Sequence, residues 1–346
     1  MVTAQVAHIA SAMPEPISQR AMWDECFHDR YRNLAGAQRI WNTAGIETRH
    51  AAIDPRTEDA TNWTTGVRMA RYVDEAVPLA TRAVTDVLRM ADMTARDLDL
   101  FVVVSCTGYA TPGVDLLLAR DLDMSPDLQR LVVGHMGCYA ALPALAAVAD
   151  AVVAREMTAL MVCVELTSLH VQPPIRDIGH LVSHALFSDA AVAMIVTPSA
   201  PGLRVVDIAA RTDSAHQDAM SWHVTDLGFR MGLSPRVPAV LLEHVKPMVD
   251  DLLRRHDLVV ADIEGWAIHP GGPRILDVCA EALHLSDDQM QASRNTLRDH
   301  GNCSSATVVL VVDRLLAEAN LAVGSYVVVL AFGPGLTLYA ALLQIC

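Results

Sequence analysis

The chain has 346 residues, 52 % of them hydrophobic and 19 % charged, a balance that excludes a disordered or low-complexity protein. A net charge of −14, with Lys246 as the single lysine, argues against the extended basic face that grips nucleic acid. The cysteines (Cys26, Cys106, Cys138, Cys163, Cys279, Cys303, Cys346) lack framework spacing or a CxxC, and no basic and apolar leader follows Met1, which reads as a cytoplasmic protein with free thiols.

Residues 1 to 98 read as mostly helical, with stretches 22–43 and 62–90 carrying apolar residues at three- and four-residue spacing around a loop that contains Pro55. Beyond them, apolar runs of strand length at 101–104 and 160–164 alternate with long helical patterns, the texture of an α/β fold with parallel strands and crossover helices. The apolar stretches 139–154 and 326–345 are interrupted by Pro143 and Asp150 and by Gly333-Pro334-Gly335, so neither reads as a membrane span.

Sliding one half over the other by about 165 residues exposes a domain-scale repeat. In the first half the strand at 101–104 leads to Thr107-Gly108, then GHMGCYAALPALAAVADAVVA as loop and helix, then the strands ALMVCVE and DAAVAMIV. In the second, GWAIH leads to Pro270-Gly271-Gly272, then HGNCSSATVVLVVDRLLAE, SYVVVLA and LTLYAALLQI. Residues 1–200 are thus expected to form an N-terminal half, with its helical leading region and Cys138, and residues 201–346 a C-terminal half. The segment 197–201 and the polar stretch 211–221 serve as the connection. Gly137-Cys138 and Gly301-Asn302 fall at equivalent points, so two helix N-termini aim at one cleft.

Three residues in this layout could carry chemistry. Cys138 sits in a Gly-rich loop before a long helix, where free backbone N–H groups and the helix dipole favour a thiolate; a small buried hydrophobe is the other reading of such a cysteine. His269 ends a buried strand facing the expected cleft, and Asn302 opens a helix, where asparagine is also a good N-cap. Together they make a nucleophile and two donors able to hold an oxyanion. Papain-like hydrolases use the same residue types in the same order, but with the cysteine near the mature N-terminus in a different motif. His180 and His184 share a helical face without a third ligand at metal-site spacing, so no metal is expected.

GHMGCYAALPAL, MVCVELTSL, HALFSDAAVA, WAIHPGGPRIL, GNCSSATVV and AFGPGLT, in this order, resemble the type III polyketide synthases, the chalcone-synthase-like branch of the thiolase fold. The resemblance covers roughly residues 100–343, and HPGGP and FGPGLT separate this branch from carrier-protein-dependent ketosynthases. It implies an α/β fold of two pseudo-symmetric halves in an α-β-α-β-α five-layer arrangement, and a homodimer. It also implies that Cys138 carries the acyl chain, paired as a thiolate with His269 before loading. His269 and Asn302 would then hold the thioester carbonyl of malonyl-CoA during decarboxylation. No cofactor is implied; malonyl-CoA and another acyl-CoA starter are substrates.

The same resemblance assigns further positions. Phe187 and Phe229 would stand at the neck between the CoA tunnel and the cavity. Gly333, Pro334 and Gly335 would shape the cavity, and Cys106, Thr107, Thr167 and His170 would line it. Arg39 and Arg49 are the candidates for CoA phosphates. Cys106 is similar to the residue at this point in bacterial synthases that make 1,3,6,8-tetrahydroxynaphthalene, which makes that compound the leading product. His170 replaces a smaller residue of plant relatives, which predicts a narrower or more polar cavity. Two departures stand out. The family's LFGDG is Leu186-Phe187-Ser188-Asp189-Ala190, which would strain a backbone needing positive φ, and Cys303 follows Asn302 where methionine is frequent, read as inert packing. The competing readings are acyl transfer without chain extension and a catalytically dead scaffold.

Overall fold

The computed structural model describes residues 2–173, 177–198 and 201–346. In chain order the strands are β1 (Gln5–Ala12), β2 (Pro16–Ser18), β3 (Thr48–His50), β4 (Leu100–Ser105), β5 (Gln129–Gly134), β6 (Ala159–Leu166), β7 (Asp189–Thr197), β8 (Leu203–Thr212), β9 (Met220–Thr225), β10 (Gly228–Leu233), β11 (Ile263–Ile268), β12 (Tyr326–Gly333) and β13 (Thr337–Ile345). The helices are α1 (Gln19–Met22), α2 (His28–Tyr31), α3 (Ala37–Asn42), α4 (Thr65–Met90), α5 (Val114–Asp121), α6 (Ala141–Arg155), α7 (Ile178–Leu186), α8 (Val237–Arg254), α9 (Pro273–Leu283), α10 (Asp287–His300) and α11 (Ser305–Glu318).

Nine strands form one sheet in the order β11-β12-β13-β8-β1-β7-β6-β4-β5. The repeat is visible in the pairing: β4 and β6 are parallel, β6 and β7 antiparallel, β7 and β1 antiparallel. In the second half β11 and β12 are parallel, β12 and β13 antiparallel, and β13 and β8 antiparallel. The halves meet where β1 pairs antiparallel with β8 through Gln5↔Arg204 and Val6↔Leu203.

Strand periodicity sorts the core into layers, because successive side chains point to opposite faces. Leu100, Val102 and Val104 of β4 and Val327, Val329 and Ala331 of β12 share one apolar cluster with α6 and α11. Phe101 and Val103 face α4 instead, and Val328, Leu330 and Phe332 face α8, α9 and α10. The two halves of the one sheet thus enclose α6 and α11, giving helix, half-sheet, helix, half-sheet, helix, with α6 and α11 as the buried central layer. Their apolar residues occupy nearly the whole helix circumference, as expected of helices covered on both sides.

Two expectations need correction. The first 98 residues are not mostly helical: β1 lies in the middle of the sheet, and the stretch 22–43 breaks into α1, a π-helical turn, α2 and α3. β1 owes its place to partners some 190 residues away in β7 and β8, a pairing that local spacing does not encode. The connection between halves is also shorter than expected. Residues 203–212 form an interior strand of the sheet, partly exposed over most of its length, with Arg211 opposite Leu338, and Ser221 already belongs to β9. Residues 199 and 200 of the expected connection lie outside the described residues.

Candidate active site

The duplicated topology delivers four chain segments to one place: the ends of β4 and β11, and the loops entering α6 and α11. His269 follows β11 directly, its backbone N–H donating to Leu330 O at 2.8 Å. Cys138 precedes α6 in a loop where Gly137 has φ +83° and lies so close to Pro334 that a Cβ would approach Pro334 Cδ to 2.6 Å. Gly333 packs as tightly against Tyr139. The Gly333-Pro334-Gly335 turn between β12 and β13 therefore clamps the nucleophile loop, and glycine at 137 and 333 is a steric requirement.

Asn302 is fixed by its backbone and its side chain. Its N–H donates to Leu186 O and its carbonyl accepts from Ser188 N–H, both at 2.9 Å, which ties it to the Phe187 segment. Its Oδ1 accepts from the Ser304 backbone N–H at 2.9 Å and from Thr307 Oγ1 at 3.3 Å. With the acceptor side engaged, the amide's donor side is what remains for a ligand.

Cys138, His269 and Asn302 line one cavity of about 460 Å³, with Phe187 in its wall. His269 is buried and neither ring nitrogen has a hydrogen-bond partner among the described residues. Buried polar groups are ordinarily satisfied, so an imidazole held this way is set up for a group that arrives with the substrate. Burial pushes its pKa down to about 3, which makes it a neutral donor. Burial also pushes the Cys138 thiol up to about 12, against the opposing pull of Ser304 and Asn302 beside it. Desolvation thus works against the expected thiolate–imidazolium pair, and His269 makes no hydrogen bond to the sulfur in this arrangement.

The remaining positions divide among three spaces. Cys106, Thr107, Thr167, Phe187 and Pro334 line a constriction of about 20 Å³ that also touches Cys138. Thr167, His170, Phe187 and Phe229 line a separate side cavity of about 50 Å³. Phe229 lines that side cavity together with Phe187 and stacks on His170 at 4.6 Å. His170 Nε2 meets Thr107 O at 2.7 Å and its Nδ1 accepts from Phe229 N–H at 3.0 Å, so the ring is a neutral tautomer spent on backbone. Gly333 and Gly335 act through the turn.

Arg39 is exposed on α3, next to Ile40 at the rim of the large cavity. Arg49, in contrast, is buried; its Nη1 and Nη2 donate to the carbonyls of His184 and Ala185 at 2.8 and 2.6 Å. Its guanidinium holds the end of α7, which corrects its expected place on the CoA phosphates. Ser188 and Ala190 adopt no positive φ; Ser188 Oγ accepts from His50 N–H at 2.8 Å, so the altered LFSDA segment sits without strain. Cys303 is fully buried, consistent with packing.

Sequence reasoning missed three residues. Arg274, exposed at the start of α9, lines the large cavity and follows the HPGG run directly. Trp222 of β9 donates through Nε1 to Cys106 O at 2.8 Å and lines both smaller spaces. Glu165, fully buried, accepts from Cys106 N–H at 3.0 Å and Thr107 Oγ1 at 2.8 Å; it lies within MVCVELTSL, where it was assigned no role.

Residues 10–201 match the model of the chalcone and stilbene synthases' N-terminal domain, and residues 209–346 that of their C-terminal domain. The chain belongs to the chalcone and stilbene synthase family. It is a type III polyketide synthase of the thiolase fold, and so an acyltransferase; such enzymes use malonyl-CoA and acyl-CoA substrates and are generally dimeric. It is 33 % identical over 325 residues to the "Alpha-pyrone synthesis polyketide synthase-like Pks18" of Mycobacterium tuberculosis (strain CDC 1551 / Oshkosh), covering 89 % of this chain and 81 % of that one. It is also 33 % identical over 307 residues to the 1,3,6,8-tetrahydroxynaphthalene synthase of Streptomyces peucetius subsp. caesius, covering 86 % and 80 %. The crystal structure of the 1,3,6,8-tetrahydroxynaphthalene synthase from Streptomyces coelicolor A3(2) superposes with a TM-score of 0.93 at 27 % identity over 99 % of both chains. Among the described residues, no helix of this synthase is long and apolar enough to cross a membrane.

Proposed function

We propose that this synthase condenses malonyl-CoA units onto an acyl chain held by Cys138 and releases a small cyclised phenol, with 1,3,6,8-tetrahydroxynaphthalene as the leading product. The observation that carries the reading is a single cavity shared by a thiol, a neutral imidazole whose nitrogens have no hydrogen-bond partner among the described residues, and a carboxamide whose acceptor side is already engaged.

In loading, the Cys138 sulfur attacks the starter thioester while His269 takes the thiol proton and returns it to the departing CoA sulfur. The buried thiol's high pKa makes such coupling necessary, because little free thiolate exists at neutral pH. Malonyl-CoA then binds with its thioester carbonyl against the N–H groups of His269 and Asn302. Loss of CO₂ leaves an enolate whose oxygen these donors stabilise as its charge develops. The enolate carbon attacks the Cys138 thioester, forming a carbon–carbon bond and expelling the sulfur, which accepts the lengthened chain again with release of CoA. Phe187, in the cavity wall, keeps water from the decarboxylating group. Arg39 and Arg274 supply the cations that an acidic protein must place locally for CoA phosphates. The enzyme acts as a cytoplasmic homodimer without cofactor or metal.

Incubation with malonyl-CoA alone, followed by product mass and CO₂ release, tests this. The reading expects CO₂ and a pentaketide-derived naphthol; acyl transfer without extension gives neither, and CO₂ with shorter products removes the naphthol assignment while keeping the synthase.

A further inference from the structure

His50, which ends β3, and His300, which ends α10, stack on each other with ring centroids 5.4 Å apart and 29° between the ring planes. His50 Nε2 lies 3.2 Å from His300 Nδ1. The two ends of this contact decide where its hydrogens are. His50 Nδ1 faces the carbonyl of Pro14 at 2.8 Å; a carbonyl only accepts, so Nδ1 carries the hydrogen and Nε2 is bare. His300 Nε2 faces a guanidinium nitrogen of Arg314 at 3.4 Å; a guanidinium only donates, so that ring's hydrogen sits on Nδ1. One directed chain results, in which Arg314 donates to His300, His300 to His50 and His50 to Pro14. Its polarity admits only neutral rings, because a further proton would set donor against donor. Burial pushes His50 below the usual histidine value, against the opposing pull of the Pro14 carbonyl, Asp189 and Glu15. Burial also pushes His300 down to about 4, with His50 and the Arg314 charge adding to the effect and Asp299 opposing it.

Histidines that satisfy each other are ordinarily packing. This pair is set apart by what both of its members hold. Ser188 Oγ accepts from His50 N–H at 2.8 Å and donates to the His50 carbonyl at 3.1 Å. Ser188 N–H in turn donates to the carbonyl of Asn302 at 2.9 Å. On the other side only Gly301 separates His300 from Asn302. Gly301 is held at φ +71°, where a Cβ would come to 3.0 Å from Ser188 Cβ and 3.1 Å from Leu186 O. Asn302 therefore closes a ring of contacts that runs from His300 through His50 and Ser188 and returns through Gly301. Arg314, at the head of the chain, is fixed on α11 by Asp299 at 2.9 Å and Glu318 at 3.2 Å.

We propose that His50 and His300 are positioning residues for the reaction: the hydrogen bond between them fixes the direction in which the Asn302 amide aims its donor at the developing enolate oxygen. The proposal rests on the chain-extending function above and deepens it. A misplacement of about 1 Å at a group facing the reacting atoms costs on the order of 10²-fold in rate. Loading, in contrast, uses the sulfur of Cys138 and the imidazole of His269, and neither belongs to the ring. Loss of the pair should therefore slow decarboxylation and spare loading.

The test compares wild type with His300→Phe, which keeps a stacked ring and removes both nitrogens, and with His300→Asn, which sets an amide donor near the Nδ1 position. Each is read for CO₂ release from malonyl-CoA and, by intact mass, for the rate at which acetyl-CoA acylates Cys138. In His300→Phe, kcat for CO₂ release should fall at least fivefold, while KM for malonyl-CoA and the acylation rate change less than twofold. His300→Asn should release CO₂ at least threefold faster than His300→Phe. A smaller loss in His300→Phe, an acylation rate or KM that moves with it, or a weaker recovery in His300→Asn overturns the positioning role and leaves the synthase reading intact. A wild type that releases no CO₂ overturns both. Should His300→Phe fail to fold, His50→Phe carries the same comparison, with His50→Gln, which returns an acceptor oxygen near the Nε2 position, as its restoring partner.

Discussion

Cys106 and His269 occupy equivalent points of the two halves, each the first residue after a parallel strand, β4 in one and β11 in the other. They live in opposite surroundings. Cys106 is held by Glu165 at 3.3 Å and by Ser304 Oγ at 3.1 Å, and Trp222 caps its carbonyl. Neither ring nitrogen of His269 has a hydrogen-bond partner among the described residues. One duplicated position has become a satisfied wall and the other an unsatisfied donor, which teaches that topology brings residues together while hydrogen-bond satisfaction separates scaffold from chemistry.

The sharpest way to break this contrast is to remove the unsatisfied side. His269→Gln and Asn302→Ala should each slow CO₂ release from malonyl-CoA by about 10²–10³, the worth of one donor to a developing oxyanion, while the fold keeps its melting temperature. A loss below tenfold in both would place the oxyanion elsewhere. A second test concerns protonation. With the thiol near 12, alkylation of Cys138 by iodoacetamide in the absence of substrate should climb about tenfold per pH unit between pH 7 and 9 without levelling, because thiolate increases in that proportion well below the pKa. A plateau near pH 6 would instead report a resting thiolate–imidazolium pair. The smallest effect belongs to the satisfied side: Cys106→Ala should shift the ratio of products severalfold with malonyl decarboxylation changed by less than about twofold, as expected of a wall. An unchanged ratio would remove Cys106 from product control.

Most of this arrangement was legible in the sequence because it follows from strong local signals. The runs at 101–104, 160–164 and 326–331 became β4, β6 and β12, and the equivalence of Gly137-Cys138 with Gly301-Asn302 anticipated one cavity shared with His269. What was missed has a common cause in long-range packing. β1 is defined by partners near residue 195, and Arg49 reads as a surface cation until α7 is folded over it. Burial opposes the thiolate that the helix terminus favours at Cys138, because a sulfur removed from water resists ionisation. Trp222 stood in no motif and Glu165 had no role within MVCVELTSL; only the geometry places them behind Cys106.

The central claim is that one sulfur carries the chain within reach of His269 and Asn302, and intact-mass analysis with peptide mapping after exposure to acetyl-CoA or malonyl-CoA tests it most directly. The account predicts a single acyl adduct on Cys138 in the wild type and none in Cys138→Ala, which should also form no product. An adduct on another cysteine, or product formation by Cys138→Ala at the wild-type rate, would contradict it.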